Sequence, residues 1–239
     1  MAESAQVRAV EVPNAKTSDS LRHSAIVRGT HWITTISFLV LLLSGIAILL
    51  AHPRLYWGDV GGVGAPSLID LPLPFVIRGP GRYLHFLSAW ILVITGLVYA
   101  VSGILTHHFR KSLLPDKSQL GWDSIRQVAS DHLHLKRPPK EEAFRYNLLQ
   151  RVTYLAVIFG LVPLMIWTGL AMSPGFTSVF PAVVSTLGGH QAARTIHFFV
   201  AVSLVVFLMV HISMVCLAGF RRRVIAMITG RTASGTDYP

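Results

Sequence analysis

A single cysteine, Cys216, stands in the whole chain. That excludes a disulfide framework, a C-x-x-C zinc site and a C-x-x-C-H haem attachment, and with them four-cysteine iron–sulfur ligation. Any redox cofactor must be held without thiolates. Charge is scarce too: 13% of the 239 residues are Asp, Glu, Lys or Arg, where a soluble domain carries about a quarter. Acids are scarcer than bases, 11 against 21, which leaves a net charge of +10. In a soluble domain that balance suggests nucleic acid. Here the basic residues are distributed as in a membrane protein, and no nucleic-acid partner is expected.

The charge-free runs are long. Four stretches, 31–51, 83–106, 152–172 and 195–220, reach the ~20 residues a spanning helix needs. Pro163 lies inside the third, where lipid tolerates a kink. The first run follows a polar segment, 1–27, and is too long and too poor in cleavage signal for a leader, so it reads as a retained span. Lys and Arg give the direction. Seventeen of the 21 fall before the first span, in the 107–151 loop or after the fourth span. With an even number of spans, both termini are expected inside, with 1–27 and 223–239 as cytoplasmic tails. The expected fold is an all-α integral membrane protein, a four-helix bundle in a bacterial inner membrane. The uncharged "SPGFTSVFPAVVSTLGGHQA" is broken by Pro and Gly and reads as an outer loop with room for a short interfacial helix. The 107–151 loop is too small for a domain and is expected to lie on the membrane surface or against a partner. No internal repeat is visible.

The histidines sort by depth. His31 begins the first span and lies near the inner surface; His85 begins the second, which runs the other way, and lies near the outer surface. His197 opens the fourth span from the outside, and His211 follows fourteen residues later. At 1.5 Å per residue that is ~21 Å deeper, and the two directions agree within about 40°. His85 therefore pairs with His197 at the outer depth, and His31 with His211 at the inner depth. A lone histidine in a span is as easily a packed or hydrogen-bonded residue, but intramembrane ionisable groups are rare and usually functional. Two imidazoles facing across a bundle suit the two faces of one haem iron, so two haems, one per pair, are expected.

Arg28, Arg82 and Arg194 each precede a candidate ligand by three residues, in "RGTH", "RYLH" and "RTIH", and share a helix face with it. Guanidinium suits carboxylates, so these arginines are candidate partners for haem propionates; the alternative is that they simply flank spans. Gly45 follows His31 by fourteen residues and faces the bundle at the outer depth, where a missing side chain would admit a macrocycle. Gly96, Gly103, Gly160 and Gly169 are equally compatible with close helix packing. His107 and His108 compete for the inner site by position, and His23, His52, His190, His132 and His134 read as interface or loop residues.

"RGTHW" with the later "SG", "RYLHF", "RYNLLQRVTYL" and the H-x13-H spacing of the fourth span resemble the bacterial cytochrome b561 and nickel-hydrogenase b-type cytochrome family over about residues 22–222. Within it the chain is similar to the cytochrome b subunits of formate dehydrogenase and thiosulfate reductase. The resemblance implies two haem b groups and a quinone site (menaquinone or ubiquinone) near the inner haem. Asn147, with Gln150 and Arg151, is the quinone contact it implies; membrane-interface anchoring is the other role open to these residues. It implies further that the chain carries electrons between the quinone pool and a periplasmic catalytic subunit, a molybdenum or iron–sulfur oxidoreductase. Flow in either direction fits, as do two alternatives: a stand-alone quinone-linked enzyme such as a superoxide oxidase, and a haem-free transporter or assembly protein.

Overall fold

The computed structural model describes residues 24–62, 64–72, 81–106, 152–217 and 219–230. Ser24 starts the first helix, α1 (Ala25–Ala51), by accepting the Val27 N–H on its hydroxyl at 3.3 Å, which satisfies one of the donors a helix start leaves open. Pro53, two residues beyond its end, cannot continue it. A second long helix, α2 (Gly81–Leu105), returns beside it. The third, α3 (Val152–Ala171), and the fourth, α6 (His190–Leu217), form another adjacent pair. These four are long and apolar enough to cross a membrane.

In the first hairpin the interior is not where the large apolar side chains lie, although α6 buries Val200 and Leu204. α1 buries Thr30, Ser37 and Ser44, one every seventh residue, and α2 buries Ser88, Thr95 and Gly103. Ile36, Leu43, Leu87, Trp90, Ile94 and Leu97 are exposed. Lipid solvates such side chains, so helix contact is left to small and hydroxyl residues that let backbones approach. The result is two helical hairpins, α1–α2 and α3–α6. Among the described residues, no comparably extensive backbone approach joins one hairpin to the other.

Pro163 leaves a local mark. The turn before it, Val157–Leu161, is π-helical, and the Val162 N–H reaches back to the Val157 carbonyl. A proline lacks the N–H and crowds the carbonyl four residues back, and one wider turn relieves that crowding within the helix.

One end of the bundle carries the connections, and is called here the loop end. A two-residue antiparallel pair, β1 (Arg54–Leu55) and β2 (Ile69–Asp70), sets Arg54 opposite Asp70. Their side chains form a 3.0 Å ion pair, and the Asp70 carboxylate pushes the Arg54 pKa up. The loop between α3 and α6 holds two single-turn helices, α4 (Pro174–Thr177) and α5 (Ala182–Ser185), so the short interfacial helix expected there is a pair. Val183 of α5 packs with Ala171 and Ala193 in a small core. The segment after β1 is stitched to the start of α6: Gly58 O accepts the Gln191 and Ala192 N–H groups, Asp59 Oδ1 accepts that of His190, and Thr195 Oγ1 donates to Tyr56 O at 2.6 Å. Gly189 (φ 114°) makes the approach possible, because a Cβ there would strike the Gly58 carbonyl.

The helix bounds differ from those expected. α1 starts at Ala25 and α6 at His190, both earlier than the apolar runs, because polar residues at a helix start are held by caps. The fourth span ends at Leu217 rather than Phe220. Gly219 (φ 92°) turns the chain into a further helix, α7 (Phe220–Thr229), so the segment assigned to a tail from 223 is helical as far as 229.

Candidate cofactor site between the helical hairpins

Two histidines from different hairpins meet near the loop end. His85, in the second turn of α2, and His197, in the third turn of α6, have ring centres 6.3 Å apart with planes inclined by 61°. Each ring is held by a buried hydroxyl on the partner helix of its own hairpin. His85 Nδ1 lies 3.0 Å from Ser44 Oγ and His197 Nδ1 lies 2.9 Å from Thr168 Oγ1. The direction of these bonds can be deduced. Ser44 already donates its only proton to Val40 O at 2.6 Å, and Thr168 donates to Leu164 O at 2.8 Å. Both hydroxyl oxygens must therefore accept, so each imidazole carries its proton on Nδ1. What remains on each ring is the Nε2 lone pair, the atom a metal takes when the other nitrogen is held in this way.

The spacing suits one metal ion between the rings. With metal–nitrogen distances of ~2.0 Å, two imidazoles on opposite sides of one ion have centres about 6 Å apart. Among the described residues no group of three or more His, Cys, Asp or Glu comes together to hold an ion. Two protein ligands underfill a bare ion, but they complete a haem iron, whose other four nitrogens belong to the macrocycle. Glycines sit beside both rings: a Cβ on Gly45 would lie 3.4 Å from His85 Cε1, and one on Gly169 would lie 3.6 Å from His197 Cε1. The donor set and its surroundings thus fit haem.

The loop end opens into a cavity of about 1010 Å³ between the ends of α1, α2, α3 and α6. Arg82 and Arg194, the residues three before each ligand, both line it, as do Phe86, Met172 and Gln191. Arg194 also donates to the His52 carbonyl at the end of α1. Two guanidinium groups lining one cavity suit carboxylates.

The second pair lies towards the opposite, terminal end. His31 is in the second turn of α1, and His211 is six residues from the end of α6. The His31 ring stands edge-on to Trp32 (5.4 Å, 88°), and His211 stacks on Phe207 (6.1 Å, 26°), which Tyr154 of α3 meets edge-on. Arg28 bonds the Ile228 carbonyl of α7 at 2.6 Å. Asn147, Gln150, Arg151, His23, His107, His108, His132 and His134 lie outside the described residues.

Sequence alone does not single out the two hydroxyls that contact the rings, Ser44 and Thr168, and it reads Gly169 as a packing residue. The signal was present: "SG" at 44–45 is followed by "RYLH", and "TG" at 168–169 by "RTIH". Each hairpin carries hydroxyl–glycine on its first helix and Arg-x-x-His on its second, a local repeat too short to register as sequence periodicity.

Comparison with known proteins bears out the resemblance. A family model described as prokaryotic cytochrome b561 matches residues 22–230. The chain is 30% identical over 213 residues to a putative protein-methionine-sulfoxide reductase subunit YedZ1 of Azospira oryzae, covering 87% of this chain and 96% of that one. It is 26% identical over 200 residues to a probable Ni/Fe-hydrogenase B-type cytochrome subunit of Azotobacter vinelandii, covering 80% and 77%. It is also 26% identical over 195 residues to the formate dehydrogenase cytochrome b556(fdo) subunit of Escherichia coli, covering 80% and 76%. No solved structure matches significantly.

Proposed function

The chain belongs to the prokaryotic cytochrome b561 family, and on that premise we propose that it is a di-haem membrane subunit carrying electrons between a periplasmic oxidoreductase and the quinone pool. The observation that carries the reading is the matched pair His85 and His197, each fixed by a hydroxyl as the Nδ1–H tautomer, with ring centres 6.3 Å apart. These residues hold one haem b, with Arg82 and Arg194 towards its propionates and Gly45 and Gly169 beside the ligand rings. His31 and His211 hold the second. Bound haem iron supplies a one-electron ferric/ferrous couple.

The excess of Lys and Arg in the 107–151 loop and near both termini supports an orientation with the terminal end in the cytoplasm and the loop end facing the periplasm. The relatives named as reductase, hydrogenase and formate dehydrogenase subunits support a catalytic partner; in this reading it is a molybdenum or iron–sulfur oxidoreductase on the periplasmic side. Quinone then binds near the cytoplasmic surface, with Asn147, Gln150 and Arg151 as its contacts at the start of the third span. Moving one electron across a potential of 100 mV involves ~2.3 kcal/mol, so the potentials of partner and quinone set the direction.

The test is transfer through a sealed membrane. Vesicles containing the purified chain, with ferricyanide inside and dithionite outside, are expected to bleach the trapped ferricyanide, and His85→Ala and His31→Ala are each expected to stop it. Undiminished transfer in both variants would contradict the proposal.

A further inference from the structure

The turn that carries His31 is held from both sides by the end of α7. This helix leaves α6 through the left-handed Gly219 and comes back against the start of α1. Arg28 Nη1 donates to Ile228 O at 2.6 Å, and Trp32 Nε1 donates to Met227 O at 3.4 Å. Both acceptors belong to the last turn of α7, where carbonyls lack helical partners and the helix dipole is negative, so a guanidinium is well matched there. Gly230 completes the contact. Its φ of 81° turns the chain away, and a Cβ on it would lie 3.0 Å from Arg28 Cζ. The two donors stand three residues before and one residue after His31, and the Trp32 ring also meets the His31 imidazole edge-on.

Helix ends open more easily than helix centres, and His31 is only the seventh residue of α1. A ligand in that place needs its helix turn fixed by something other than α1 itself. α7 is built to stay where it is. Phe220, Ile225 and Ile228 are exposed, and so are Arg221, Arg222 and Arg223, the mixture of an amphipathic helix lying at a membrane surface.

We propose that α7 is a positioning helix for the terminal-end haem site: through Arg28 and Trp32, its last carbonyls fix the rotation of the first turns of α1 and with it the plane of the His31 imidazole. The inference rests on His31 and His211 ligating the second haem. It gives Arg28 a different partner from the haem propionate expected from sequence, and it gives Trp32 and Gly230 a function.

The test uses the full chain purified with its haems, comparing wild type with Gly230→Val, which pushes the guanidinium aside, and Trp32→Phe, which keeps the ring but removes its donor. Redox titration and low-spin EPR resolve the two haems. In both variants the haem lost in His211→Ala is expected to shift its midpoint potential and its largest g value, while the haem lost in His85→Ala keeps both. Unchanged potential and g values for the terminal-end haem in Gly230→Val and Trp32→Phe would overturn the proposal, as would equal shifts in both haems, which would mark α7 as a general stabiliser. A wild-type chain with a single haem would instead remove the reading on which the proposal rests.

Discussion

Replacing Thr168 by valine preserves shape and removes one hydroxyl. Thr168 has no exposed surface, and its oxygen accepts the His197 Nδ1 proton at 2.9 Å. In the variant that buried N–H loses this acceptor, a change that costs about 1–3 kcal/mol. Removing an outer-shell partner of a ligating histidine typically lowers metal affinity by about 10–100-fold, the same order of energy. The effect falls unequally on the two oxidation states. An Nδ1–H that donates makes Nε2 more basic and favours the more highly charged ferric iron. If the ferric form alone loses about 1 kcal/mol, the midpoint potential rises by roughly 40 mV, since a tenfold change is ~59 mV for one electron. A redox titration of the purified variant, followed at the reduced b-type band, reads this directly. The expected result is a rise of that order for the haem lost in His85→Ala, no change in the other haem, and recovery in Thr168→Ser. Full haem content with an unmoved potential, or a shift confined to the other haem, would refute the reasoning.

Gly45→Leu and Gly169→Leu are expected to remove the loop-end haem, because side chains there run into rings 3.4 and 3.6 Å from the first added carbon. Gly45→Ala should retain it, and pyridine haemochrome assay distinguishes the two outcomes. Arg194→Ala and Arg82→Ala are each expected to lower the potential of the same haem by leaving a propionate charge uncompensated, whereas Arg28→Ala should leave that haem unmoved; a common response of all three would contradict the placement. Gly189→Ala is expected to destabilise the protein by at least about 1 kcal/mol from its backbone conformation alone, with a further cost from the Gly58 contact, visible as a lower midpoint in thermal denaturation. The raised Arg54 pKa is stabilising below the ordinary arginine value and is lost only as pH rises through the raised one. Stability measured between pH 5 and 9 should therefore be the same with Asp70→Asn as without, apart from a constant offset.

The membrane-spanning part of the fold was legible because lipid demands long charge-free runs, and those runs are visible without any contact being known. Their ends were not, because Ser24, His190 and Gln191 are polar residues held by caps and by the Gly58 carbonyl, and polarity alone reads as loop. The pairing of His85 with His197 followed from counting helix directions, and the structure brings these rings together. The hydroxyls behind them were missed because Ser44 and Thr168 in an apolar span read as packing residues; their function depends on what the neighbouring helix presents. β1 and β2 have two residues each and leave no alternation to detect. α7 was hidden by its own arginines, which counted towards orientation and so read as a tail. Pro163 announced a distortion, but only the structure shows that it takes the form of a π turn rather than a break.

Haem stoichiometry in the wild type and in two single variants, measured by pyridine haemochrome together with reduced-minus-oxidised spectra, tests the di-haem reading most directly. Two haem b per wild-type chain are expected, with His85→Ala and His211→Ala each retaining one and the retained bands differing between them. Loss of the same haem in both variants, or a wild-type protein without b-type bands, would contradict it.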